Sequence, residues 1–368
     1  MTKMTRHGLT LLLPLVLLRC AAPDTTGLSP RQQLLADHFD NAGCLSRMVE
    51  RADTITLRLP DSITVDVFPR VLASRSGFVL CNSMGRTVVS VSRRGTFIRA
   101  FGRPGAGPGE FRSIVAACLD TLGNVYLVDN LLARLTVFRA DGTLIYTRPV
   151  ANPFLVRHVC ATDPGRVALH HAPDSSGGGF VTLLVDGRPA QMLLPAQPGF
   201  EAYYYRGHLE GGILTTPSGM IFETNTYSHL LRMIRGDGSV RESERGIQTF
   251  KPLPPASGFR AIQELQEVVR RASTIRGLYL VGGFEFLLQE LLSLSGTGLY
   301  VERAFGIFDT TGAFLGAVKC DISGIESSDG DNLVQVLNPP LPRGSRYRAG
   351  GIRAPSIIVL RLRMADHG

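Results

Sequence analysis

The sequence predicts an all-β fold of six four-stranded units set around an axis, on three observations. First, a turn glycine followed by an apolar, strand-like run recurs along the 368 residues. The copies are Ser76-Gly77-Phe78-Val79-Leu80-Cys81, Leu122-Gly123-Asn124-Val125-Tyr126-Leu127, Pro164-Gly165-Arg166-Val167-Ala168-Leu169, Ser218-Gly219-Met220-Ile221-Phe222-Glu223 and Thr297-Gly298-Leu299-Tyr300-Val301-Glu302, with a weaker sixth at Asp329-Gly330-Asp331-Asn332-Leu333-Val334. Second, the first five are each followed by another turn, at Gly95, Gly142, Gly187, Gly238 and Gly312. Third, the glycine intervals are 46, 42, 54, 79 and 32 residues, and the first three suit a four-stranded unit of roughly 40–50 residues. One such unit cannot bury both of its faces, so neighbours must stack, and six copies imply a six-bladed β-propeller.

Phe101–Phe138 carries the clearest unit. Gly107-Pro108-Gly109 forms a tight loop, because glycine reaches positive φ and proline fixes its own. Ile114–Leu119, Val125–Asp129 and Arg134–Phe138 read as successive strands, parted by turns at Gly123 and Gly142. With Gly105, Gly107, Pro108, Gly109, Phe111, Asp120, Gly123, Asn124, Tyr126, Val128, Asp129, Arg134 and Phe138 in place, this segment resembles an NHL-repeat blade. Leu132 stands where that family usually has Asn. The resemblance implies an intrablade ion pair between Asp129 and Arg134 and covers about forty residues at this quality. At fold level the expectation is an NHL/TolB-like six-bladed propeller over residues 53–364 with one helical insertion, similar to the propeller lipoproteins of Bacteroidota-like bacteria.

The ring has to close. Asp53–Leu59 alternates like a strand and Ser356–Met364 is the last strand, so the N-terminal strand is expected to join the C-terminal blade and leave no open edge. Lys251-Pro252-Leu253-Pro254-Pro255 breaks the strand pattern inside the longest interval. Ser257–Ala272 then places Phe259, Ile262, Leu265 or Gln266, and Val269 on one helical face, with charges opposite and Ser257 as N-cap. This helix reads as a decoration on the rim or as a lid over the central channel. Phe284–Leu294 reads as a strand, since a blade needs one there.

Lys3, Arg6 and His7 followed by the apolar run Leu9–Leu18 read as a signal peptide over residues 1–19. The run is too short to span a bilayer. Leu17-Leu18-Arg19-Cys20 resembles a lipobox, although Arg19 stands where a small residue is usual. Cys20 is therefore the expected lipidation site, with residues 20–52 as a tether and a short helix within Gln32–Glu50. The alternatives are a soluble secreted protein or an uncleaved anchor. The chain is expected to be a monomer in the cell envelope, in the periplasm or at the outer membrane. The net charge of +8 comes from 36 Arg and only 3 Lys. No basic run is interleaved with aromatics, which argues against nucleic acid as a partner. Cys44, Cys81, Cys118, Cys160 and Cys320 remain after Cys20. An odd count argues against a disulfide framework, and they read chiefly as small buried hydrophobes.

Candidate chemistry is sparse. Tyr203, Tyr204, Tyr205, Arg206 and His208 form a cluster suited to stacking on a sugar or peptide; the plainer reading is a blade strand. His158 and Cys160 share a strand face, and His170 or His171 follows on the next strand. Together with Glu223 and Glu302, four residues past their repeat glycines, His158 is a loose candidate for Ca²⁺ or Zn²⁺. Asn225 could join them. No nucleophile elbow, P-loop, HExxH or paired CxxC occurs. The functional expectation is thus a binding or scaffold module for an envelope protein, peptide or glycan. The alternative is a metal-dependent, lactonase-like hydrolase or lyase.

Overall fold

The computed structural model describes residues 27–63, 65, 70–74, 76–83, 86–151, 153–171, 181–195, 211–225, 228–254, 262–294, 301–322, 324–337 and 356–364. They form six four-stranded antiparallel sheets arranged as the blades of a β-propeller. From inner to outer strand, blade 1 is Arg70–Ser74, Gly77–Asn82, Thr87–Ser92 and Phe97–Phe101. Blade 2 is Ile114–Leu119, Val125–Asp129, Arg134–Phe138 and Leu144–Pro149. Blade 3 is Val156–Asp163, Arg166–His171, Val181–Val185 and Arg188–Leu194. Blade 4 is Gly211–Thr215, Ile221–Asn225, Ser228–Ile234 and Val240–Glu242. Blade 5 is Thr274–Val281, Phe286–Leu294, Val301–Asp309 and Phe314–Lys319. Blade 6 is Ile325–Ser328, Asn332–Leu337 and Ser356–Leu362, with Val49–Thr56 as its outermost strand.

Side-chain alternation explains how the blades stack. Successive residues of a strand point to opposite faces, and each face of a blade meets a different neighbour. In Gly77–Asn82, Phe78 and Leu80 enter the core shared with blade 6, while Val79 and Cys81 enter the core shared with blade 2. The second strands therefore read as unbroken apolar runs, not as half-polar ones. Six apolar clusters result, one at each blade interface, from blades 6 and 1 round to blades 5 and 6. Cys81, Cys118 and Cys160 each sit in one of them. All five cysteines among the described residues are free, and burial pushes the Cys81 and Cys160 thiols up to about 12.

The repeat register needs one correction. Gly298 does not begin the second strand of blade 5; it falls between that blade's second and third strands, outside the described residues. The inner turn of blade 5 is at Gly282-Gly283, both with positive φ (62° and 71°). With Gly283 in the series, the last two intervals become 64 and 47 residues. Phe286–Leu294 is a strand, as expected.

Closure runs through Val49–Thr56, which pairs antiparallel with Ser356–Leu362 from Val49↔Leu362 to Thr56↔Ser356. Ahead of it lie α1 (Pro30–Ala42), entered through a Ser29–Gln32 capping box, and the short α2 (Leu45–Met48). Phe39, Leu45 and Met48 are buried in the core between blades 5 and 6. The insertion between blades 4 and 5 contributes α3 (Ile262–Arg271); Ser257 lies outside the described residues. Val268 and Val269 pack on the core between blades 3 and 4, so these two residues seat the helix on the blades.

Asp129 and Arg134 do not form the ion pair that the resemblance implied. They face each other across adjacent strands, yet both spend their polar groups on backbone. The buried Asp129 carboxylate accepts from the N–H groups of Arg112 and Ser113 (2.7 and 3.2 Å) and of Leu131 and Leu132 (both 2.9 Å). Arg134 donates to the carbonyls of Ala106, Gly107 and Glu110. Asp129→Ala would remove the acceptor of four backbone donors and is expected to cost about 2–4 kcal/mol, with Asp129→Asn milder because it keeps one oxygen. Urea unfolding of both variants checks this; equal losses would mean that the carboxylate is not the organising group.

Candidate functional site

The two ends of the propeller differ. The turns between first and second strands, and between third and fourth, are tight and gather at one end. The other end receives the long connections, including the insertion before blade 5. Most of the buried polar groups also lie toward it, although Asp120 and Thr216 are buried in tight turns at the opposite end. Asn82, Asp129, His170, Thr224 and Asn225 lie at or near the ends of the second strands of blades 1 to 4, and Gln289 and Glu290 lie on that of blade 5. The physical reason is positional: loops meet solvent and ligands there, while the blade interfaces below are apolar.

A charged chain starts at the interface of blades 3 and 4. His158 and His170 stack with ring centroids 5.7 Å apart. His170 Nε2 lies 3.3 Å from Glu223 Oε1, and both side chains are fully buried. Asn225 donates to the same oxygen at 3.2 Å. Arg232 donates from Nη1 to Glu223 Oε2 (3.1 Å) and from Nε to Glu242 (2.8 Å), which carries the chain to the outer strand. Burial pushes the Glu223 carboxyl up, but His170 and Arg232 more than offset this and leave it below the usual carboxylate range. Gly212 lets the inner strands close here: a Cβ on it would stand 2.8 Å from the Leu278 backbone nitrogen of blade 5. On blades 4 and 5, Gln289 donates to Thr224 at 2.5 Å, and the Tyr279 hydroxyl donates to Glu290 at 2.9 Å.

Charged residues also open the inner strands. Arg70 is the first residue of its strand, Arg157 the second, Arg276 the third and Glu326 the second, from blades 1, 3, 5 and 6. Each is partly buried. Burial, His170 and the charges of Arg70 and Arg157 hold the His158 imidazole well below its ordinary 6.5. Burial pushes the Glu326 carboxyl up, against the charges of Arg276 and Arg70. The unfolded chain binds a proton at His158 near pH 6.5 and the folded protein does not, so stability falls as pH drops below about 6.5. His229 shifts in the same direction, through burial. Melting is expected at a lower temperature at pH 5.5 than at pH 7.5, with His158→Asn removing part of the difference. An unchanged difference in that variant would rule out this account of His158.

The structure brings His158 and Glu223 to one place through His170. Glu302 stands apart: it is exposed on the third strand of blade 5, opposite Ser293. Its supposed equivalence to Glu223 came from the misplaced Gly298, and the buried carboxylate on that blade's second strand is Glu290. Cys160 packs in the apolar core between blades 3 and 4, and His171 contacts Thr182 at 2.8 Å. Among the described residues, no group of three or more His, Cys, Asp or Glu side chains is placed to hold a metal ion. Tyr203, Tyr204, Tyr205, Arg206, His208 and Cys20 lie outside the described residues. Sequence reasoning missed Arg70, Arg157, Arg276 and Glu326. The signal available was a charged residue opening a strand that is otherwise small or apolar.

The architecture is shared with known structures. An exported-protein candidate of Bacteroides fragilis NCTC 9343 superposes with a TM-score of 0.60 at 12% identity, over 85% of this chain and 95% of that one. A DUF4221 family member from Bacteroides vulgatus ATCC 8482 gives 0.60 at 10% identity, over 86% and 98%. A virginiamycin B lyase from Staphylococcus aureus gives 0.46 at 11% identity, over 85% and 99%. At these identities the likeness is one of fold. No protein-family model matches the sequence, and no curated protein matches it. No helix among the described residues is long and apolar enough to cross a membrane.

Proposed function

We propose that this chain is an exported, lipid-anchored propeller that works as a binding module in the cell envelope and takes a protein, peptide or glycan at the axial end where the long connections meet. One observation carries the reading: inner-strand charges from four blades gather at that end, above a fully buried polar network, while the opposite end is built of tight turns. The signal-peptide pattern ending at Cys20 supports export, as does the Bacteroides fragilis exported-protein candidate of the same fold. A second reading, acid–base catalysis by a hydrolase or lyase, draws on the buried His170–Glu223 contact at 3.3 Å.

Position-specific photo-cross-linking tests the binding reading in cells. Phe154 and Leu131 are exposed on connections at the long-connection end, whereas Leu122 is exposed in a tight turn at the other. A photoreactive residue at Phe154 or Leu131 is expected to give adducts of discrete mass, and one at Leu122 none. Equal adducts at both ends, or none at either, would overturn it. Elemental analysis of protein purified without chelator addresses the second reading. Stoichiometric Ca²⁺ or Zn²⁺ that is lost in Glu223→Gln would favour the enzyme.

A further inference from the structure

We infer that the axial mouth recognises an oxyanion, a carboxylate or phosphate group on the ligand, held by Arg157 and Arg276 with Arg70 beside them. This deepens the binding-module reading and rests on it. The three arginines come from alternate blades, 1, 3 and 5, each within the first three residues of its inner strand at the same end of the ring. Their backbones therefore stand on three sides of the ring.

Among the described residues, arginines that meet carboxylates include Arg93 with Asp329, Arg103 with Glu110, and Arg232 with Glu223 and Glu242. Among the described residues, none of Arg70, Arg157 and Arg276 has a carboxylate within ion-pair distance. Among the described residues, Arg70 donates to the Val115 carbonyl alone, at 3.1 Å. Arg157 Nε is buried with no hydrogen-bond partner. A guanidinium in such a place loses hydration without a counter-ion, which is costly for the folded protein alone. It is also a planar fork of five donors, the geometry that fits a carboxylate or phosphate. The opposing charges nearby are Glu326 and Glu290. Glu326 acts on Arg276 and Arg70 from outside contact distance, and Glu290 is buried and engaged by Tyr279. His158, held neutral by burial, by His170 and by the charges of Arg70 and Arg157, adds a ring donor without adding a competing anion.

The experiment is calorimetric titration of the mature protein with inorganic phosphate, sulfate and succinate at fixed ionic strength. The variants are Arg157→Met, Arg276→Met and, as control, the exposed Arg235→Met in a tight turn at the other end. Wild type and control are expected to bind at least one anion at millimolar strength or better. Each mouth variant is expected to weaken that binding at least tenfold. Preference for succinate would assign the group as a carboxylate, and preference for phosphate or sulfate as a tetrahedral oxyanion. Melting temperatures of both mouth variants are expected to equal or exceed wild type, which structural arginines would not allow. Arg157→Lys, which keeps the charge and loses the fork, is expected to fold normally and bind less tightly. Unchanged affinity in both methionine variants, or a wild type that binds none of the three anions, would overturn the inference. If anion binding fails while the Phe154 cross-link persists, the mouth is still the binding face and only the oxyanion is wrong. Anion binding with no cross-link at that end would mark an adventitious ion only and overturn the inference together with the binding reading.

Discussion

Glu223→Ala is expected to destabilise the propeller by about 3–5 kcal/mol, because it leaves the Arg232 charge buried and unanswered on one side. The Arg232 side chain is only 12% exposed, and Glu223 is the inner of its two carboxylate partners. The same substitution removes the acceptor of the Asn225 hydrogen bond and the carboxylate 3.3 Å from His170. For a chain of this size the loss corresponds to a melting shift of roughly 4–7 °C. Glu223→Gln keeps an acceptor and should cost about half as much. The double variant Glu223→Met with Arg232→Met should recover much of the loss, since paired removal of a buried ion pair is often neutral. A melting temperature for Glu223→Ala within about 2 °C of wild type would show that the chain of contacts is not holding blades 3 and 4 together. The pH response has a definite sign. The Glu223 carboxyl lies below its ordinary value in the folded state, so its contribution is complete above about pH 4.3 and is lost as pH falls through the lower folded value. The acid limb of a stability–pH curve should flatten in Glu223→Gln.

Deleting residues 1–56 is expected to abolish cooperative folding. The deletion removes the outermost strand of blade 6 and exposes the backbone of Ser356–Leu362 along its length. It also takes Phe39, Leu45 and Met48 out of the core between blades 5 and 6, where each is at most 2% exposed. Truncating one such aromatic alone costs about 3–5 kcal/mol, and the domain as a whole is stable by only about 5–15 kcal/mol. Size-exclusion chromatography and a thermal melt would show aggregate and no single transition. Supplying residues 27–63 as a separate segment should restore a soluble, cooperative species, because the register is specified by the facing apolar residues. A deletion variant that stays monomeric and melts like wild type would mean that blade 6 is complete without its N-terminal strand.

The contrast between what was legible and what was not follows from distance along the chain. The strand runs, the turn glycines and the alternation that sends Phe78 one way and Val79 the other are local properties, and they determine an all-β repeat protein with six units. The pairing of the two ends was legible too, because the ring leaves one blade a strand short. Blade 5 shows the limit of such reading. Gly298 lies in a motif as good as the others, and only the pairing of Thr274–Val281 with Phe286–Leu294 reveals that Gly282-Gly283 is the true inner turn. Asp129 and Arg134 show a second limit: a sequence pattern places two charges opposite each other, but the loop backbone around them competes for both. The site was least legible. His158 and Glu223 stand out as residues, but the contact that joins them passes through His170 on another strand. Arg70, Arg157 and Arg276 are more than eighty residues apart from one to the next and share no motif. The sequence by itself determined the repeat and the need for a closing strand, though that strand is Val49–Thr56 and not the expected Asp53–Leu59, since the repeat depends on residues close in the chain and closure on the count of repeats. Only the tertiary structure decided which charges meet at the axis, because closing the ring brings the inner strands together irrespective of their distance in sequence.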